Sequence, residues 1–244
     1  MMPVTAATPS HSAAEARNHM ESLSDPETAD ILQKFFKTGP GEYGEGDRFR
    51  GVRVPAIRKV AKGFREMVLS EMEALLESEF HEDRMLAVIL MVERFRRADA
   101  EDRQTIYNRY LARSDRINNW DLVDVSAEPI VGGFLWTRTD RSVLDRLAQS
   151  DWMWDRRIAI VSTFHFIRRD HFDDTLRIAK ALLADPEDLL HKATGWMLRE
   201  VGKRDLPALE AFLDRHISAM PRTMLRYAIE KFPEPKRKAH LRRC

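Results

Sequence analysis

The 244-residue chain carries 40 basic and 39 acidic side chains, a net charge of +1 that excludes a protein coating nucleic acid indiscriminately. Its 43% apolar residues suffice for a core, and its 32% charged residues exceed the usual quarter, as expected where much helix surface is exposed. The longest uninterrupted apolar run, Met85 to Val92, is far short of the roughly 20 residues that span a bilayer. No secretory signal is evident and the only cysteine, Cys244, has no intrachain partner, so a reducing cytoplasm is the expected compartment.

In chain order, residues 1–12 are poor in large apolar groups, contain Pro3 and Pro9, and read as disordered. Helical periodicity begins near Ala13. Asp25-Pro26-Glu27 opens a second helix, with Asp at the cap and Pro at the first position, that runs to about Lys37. The stretch from Gly39 to Gly46 breaks the pattern. A basic run, Arg48 to Lys59, then leads into a helix restarted by Pro55. Helix N-terminal amides favour phosphate, which makes Arg50 and Arg53 candidate phosphate contacts; the alternative is a solvated charged loop. Helical segments follow at about 55–66, 70–79, 82–97, 101–113, 118–128, 140–149, 152–168, 172–184, 188–203, 206–218 and 221–232. No strand pattern recurs, so the class is all-α, with 13–232 expected as one repeat domain and 233–244 as a basic tail. Residues 222–244 carry eight basic against two acidic groups, which leans that end toward polyanions.

The segments repeat. Anchors at Arg84, Trp120, Arg156, His191 and Arg226 are separated by 36, 36, 35 and 35 residues. Two places after each anchor stand Leu86, Leu122, Ile158, Ala193 and Ala228, and three places after it Ala87, Val123, Ala159, Thr194 and Ile229. A fixed period of this length is the signature of a HEAT-like helical-repeat solenoid, in which each helical pair buries its apolar face against its neighbours and one helix of every pair lines a concave side.

The second repeat carries more than packing. Trp120 and Asp124 stand four apart, hence on one helix face with β-carbons about 6 Å apart. The bland reading is that the indole packs at the rim while Asp124 caps a helix or pairs with an arginine of the adjacent repeat. Later repeats place Arg156 and Arg157, then Lys192 and Trp196, in similar slots; Trp196 beside Gly195 is otherwise a core filler. Indoles attract cations and sugar rings, and arginines suit phosphates. His81, His165, His171, His191 and His216 show no metal-ligand spacing, and no Walker loop, dinucleotide fingerprint or nucleophile elbow is present, so neither metal nor cofactor is expected.

Together, Asn119-Trp120-Asp121-Leu122-Val123-Asp124, Trp154-Asp155-Arg156-Arg157, the run Lys192 to Glu200, and Phe49-Arg50-Gly51-Val52-Arg53-Val54-Pro55 resemble the AlkD family of bacterial DNA alkylation repair proteins over roughly 25–232. The resemblance implies a DNA glycosylase that holds duplex DNA in its concave groove and releases N3- and N7-alkylated purines without base flipping; a monomer is expected. It implies Asp124 as the catalytic carboxylate, Trp120 and Trp196 as indoles on the lesion nucleotide's backbone and sugar, and Arg157 as a phosphate ligand. The family's pattern has two consecutive tryptophans where this chain has Asn119-Trp120. The competing class is a non-catalytic scaffold that binds DNA or protein along the same face.

Overall fold

The computed structural model describes residues 11–242; the expected disorder of residues 1–10, and Cys244, lie outside them. In chain order the helices are α1 (Ala13–Ser22), α2 (Pro26–Phe35), α3 (Val54–Gly63), α4 (Leu69–Leu76), α5 (His81–Arg97), α6 (Ala100–Ala112), α7 (Trp120–Ala127) and α8 (Gly133–Leu135). They continue with α9 (Val143–Ala148), α10 (Met153–Ser162), α11 (Phe164–Ile167), α12 (Asp173–Ala181), α13 (Asp188–Arg204), α14 (Leu206–His216), α15 (Arg222–Ala228) and α16 (Glu234–Leu241). Among the described residues there is no strand, only an isolated bridge between Arg48 and Phe80. The fold is an all-α helical repeat. No described helix is long and apolar enough to cross a membrane.

Local chemistry sets the boundaries. Ser12, read above as part of a disordered end, caps α1 through a reciprocal capping box with Glu15. Asp25 accepts from the amides of Glu27 and Thr28, with Pro26 at the first helical position of α2. After α7, Pro129 removes an amide from the ladder and the chain makes a five-residue π turn, Glu128–Gly132, before α8. The supposed tail also differs, since Pro233 and Pro235 bracket the start of a helix, α16.

The chain clusters into two compact units, residues 1–122 and 123–244, with α7 beginning in the first and ending in the second. In the first unit α5 is the core: every residue from His81 to Val92 is buried, against α3 and α4. In the second unit α13 packs on α10, α14 and α15. A β-carbon at Gly195 would lie 2.4 Å from the Met224 carbonyl and 2.5 Å from Tyr227 Cβ, so only glycine permits this approach of α13 to α15. The stripe read from the 36-residue period is the core of both units, because all ten of its positions are at most 1% exposed.

Three anchors share a bond that periodicity could not reveal. Arg84 Nη1 donates to the Ser78 carbonyl at 2.9 Å, Arg156 Nη1 to the Ser150 carbonyl at 2.9 Å, and His191 Nε2 lies 2.6 Å from the Asp185 carbonyl. Each anchor thus binds the carbonyl six residues back, closing the loop that leads into its own helix. Arg156, placed above among arginines suited to phosphate, is instead engaged within the second unit: its Nε also meets Asp185 at 2.6 Å, and the guanidinium is a clamp there.

Candidate functional site

In the first unit, the residues around the start of α7 are held by a buried polar network. Asn119, fully buried, donates through Nδ2 to Asp47 at 3.0 Å and accepts the Trp120 amide at 2.8 Å. His81 bridges two carboxylates, with Nδ1 3.2 Å from Asp47 and Nε2 2.9 Å from Asp121, whose other oxygen accepts the Leu122 amide at 2.8 Å. Burial alone would lower the His81 pKa, but the charge and hydrogen bond of Asp121, reinforced by Asp47, raise it to about 9. Asp47 would rise on burial, yet the His81 hydrogen bond and the Arg84 guanidinium hold it below the ordinary carboxylate value. The imidazolium stacks on Phe49 at 4.7 Å and tilts against Phe36 at 5.0 Å. Trp120 completes the column, half-buried, stacked on Phe36 at 5.3 Å with Phe35 at its edge. Asn119 is therefore a structural polar residue, which gives the departure from a double tryptophan a physical meaning.

The basic loop is arranged differently from its sequence reading. The amides of Arg50, Gly51 and Val52 do point at an anion, but that anion is the buried Glu82 carboxylate, at 2.9, 2.9 and 3.1 Å. Gly51 adopts φ +84°, and a β-carbon there would lie 2.1 Å from the Asp25 carbonyl. The Arg50 side chain forks onto Asp83 at 3.0 and 2.9 Å and pairs with Glu21, so it is not presented to a phosphate. Arg53 remains exposed at the cap of α3, without an ion pair among the described residues.

In the second unit, Asp124 and Arg157 form a bidentate pair. Arg157 Nε reaches Asp124 Oδ1 at 3.0 Å, Nη2 reaches Oδ2 at 2.9 Å, and Nη1 donates to the Leu189 carbonyl at 2.9 Å. The guanidinium is buried, while the Asp124 side chain keeps 21% of its surface exposed. This is the pairing with the next repeat's arginine that the bland reading foresaw. It also leaves a partly exposed carboxylate fixed in orientation, with both oxygens accepting from Arg157. Trp196 is half-buried, its Nε1 3.2 Å from Glu200 and its ring 5.7 Å from Phe164, not a filled core position. Lys192 is half-buried and pairs with Asp188 at 2.7 Å. Trp154, by contrast, is a core residue at 2% exposure. Among the described residues no group of three or more His, Cys, Asp or Glu could hold a metal ion.

Sequence reasoning missed Asp47, His81, Glu82 and Asp83. The one signal was the charged tetrad His81 to Arg84 immediately before an apolar helical run; its partners lie some 30 to 40 residues away, beyond any local pattern.

A model of the DNA alkylation repair enzyme family matches residues 16–232. No curated protein matches significantly in sequence. Among solved structures, a predicted DNA alkylation repair enzyme from Enterococcus faecalis superposes with a TM-score of 0.68 at 18% identity, covering 86% of this chain and 97% of that one. At that identity the likeness establishes the shared fold.

Proposed function

The chain belongs to the DNA alkylation repair enzyme family, and from its site we propose that it is a DNA glycosylase hydrolysing the N-glycosidic bond of cationic N3- and N7-alkylated purines in duplex DNA, without flipping the base. The observation that carries this reading is the oriented, partly open Asp124 carboxylate held by Arg157. Glycosidic cleavage passes through an oxocarbenium-like state, and ordinary glycosidases need an acid for the leaving group and a second carboxylate at the sugar. An alkylated purine already carries positive charge, so the acid is unnecessary and one carboxylate suffices.

A full charge ~4 Å from the developing cation is worth about 4 kcal/mol at an effective dielectric near 20, a rate factor of roughly 10²–10³. The Arg157 guanidinium partly offsets that field, which favours the lower end. Arg157 spends three of its five N–H donors on Asp124 and Leu189, so its part in this reading is chiefly to hold Asp124, with a DNA phosphate assigned to its other two N–H groups. Trp120 and Trp196 are assigned to the lesion nucleotide's backbone and sugar, and Arg53 and Lys192 to flanking phosphates, with the protein acting as a monomer. Selection by charge would replace selection by a pocket.

The second reading is a DNA-binding scaffold without catalysis. It is favoured by the same pair, since a buried guanidinium is itself sufficient reason for a carboxylate at Asp124. Incubation of the protein with methylated duplex DNA separates the two: release of free 7-methylguanine or 3-methyladenine supports the glycosylase, and binding without release supports the scaffold.

A further inference from the structure

Helices α13, α15 and α16 surround a cavity of about 690 Å³ on the second unit, lined by five cations and two carboxylates. Both carboxylates are already satisfied: Asp188 accepts from Lys192 at 2.7 Å, and Glu230 takes Lys231 at 2.9 Å together with Arg199. Arg222 donates to the Leu241 carbonyl at 3.0 Å, tying α16 to α15, and Lys238 pairs with Glu234 at 2.7 Å within its own helix. Arg226 and Arg237 remain. Both are exposed, and among the described residues neither guanidinium makes a hydrogen bond or ion pair.

Two guanidiniums that line one cavity and make no hydrogen bond or ion pair among the described residues can share one anion, and phosphate is the anion whose oxygens match the planar fork of arginine. Arg226 lies within the stretch that the family model matches, whereas α16, which supplies Arg237, lies beyond residue 232. We infer that this cavity binds a single phosphate group between Arg226 and Arg237, with Lys192 at its wall. Resting on the DNA reading proposed above, the occupant is a backbone phosphate additional to those at the damaged nucleotide.

The test uses the full chain, wild type against the double variant Arg226→Gln/Arg237→Gln, with two probes. Both side chains are exposed, so the variant should fold, which circular dichroism checks; Arg226→Lys/Arg237→Lys serves as the charge-conserving companion. Undamaged duplex is titrated by fluorescence anisotropy at 50 and 200 mM salt, and inorganic phosphate is titrated by thermal shift at constant ionic strength. One phosphate contact fewer should make the variant's loss of affinity between the two salts about 3- to 4-fold shallower, with the lysine variant close to wild type. A phosphate-dependent rise in Tm for wild type alone, with duplex binding unaltered, would support the phosphate site and overturn its DNA occupant. If wild type binds no duplex, the DNA repair reading fails while the phosphate arm still decides the cavity. No difference between wild type and the glutamine variant with either probe overturns the inference.

Discussion

Four consecutive charged side chains at the start of α5, His81, Glu82, Asp83 and Arg84, are each at most 2% exposed. Unpartnered, each would cost several kcal/mol to bury. Glu82 holds three loop amides, Asp83 the Arg50 guanidinium, Arg84 and His81 share Asp47, and His81 also reaches Asp121. Removing one partner leaves others orphaned, so Glu82→Ala should lower stability by about 3–5 kcal/mol, read by urea denaturation. For His81 the folded pKa, about 9, lies above the unfolded value of 6.5. Its stabilisation is therefore complete below pH 6.5 and is lost as pH rises through 9, a change on the order of 3 kcal/mol. Urea midpoints from pH 6.5 to 9.5 should fall for wild type and stay flatter for His81→Gln, which should be the less stable of the two at neutral pH. Parallel profiles for the two proteins would show that His81 does not carry the charge.

Among the elements, the helices and their buried stripe were legible because apolar periodicity is local and repeats five times. What the anchors do was not legible, because an arginine recurring at a fixed register reads alike as a phosphate ligand and as a loop clamp. Arg156 resolves into the second, bonded to two carbonyls and Asp185. Arg156→Ala should consequently lower Tm while leaving the salt dependence of duplex binding, per folded molecule, unchanged; a shallower salt dependence would restore it as a DNA ligand. The basic loop misled for a related reason, since the anion its amides hold is a side chain some 30 residues away. At Gly195, where α13 meets the Met224 carbonyl, Ala should cost about 1–3 kcal/mol through overpacking, measurable by thermal unfolding.

For the whole molecule, near-neutral charge with Arg53, Arg226 and Arg237 making no ion pair among the described residues fits the proposal that DNA is held by its backbone rather than by reading sequence. With roughly four phosphate contacts, affinity for undamaged duplex should drop about 10²-fold between 50 and 200 mM salt, whatever the sequence. The sequence offered Trp120, Asp124, Arg157 and Trp196 as candidates and the Asp124–arginine pair as one reading of them, whereas the partners of Arg50 and Arg156 and the network of Asp47, His81, Glu82 and Asp83 lie too far away in sequence to be read. Asp124→Asn tests the central claim most directly. Because the change also weakens the pair with the buried Arg157, Tm should fall under either reading, so the deciding quantity is single-turnover release of 7-methylguanine per folded, DNA-bound molecule. The glycosylase account predicts a drop of roughly 10²-fold for the Asn variant. Release equal to wild type would contradict it.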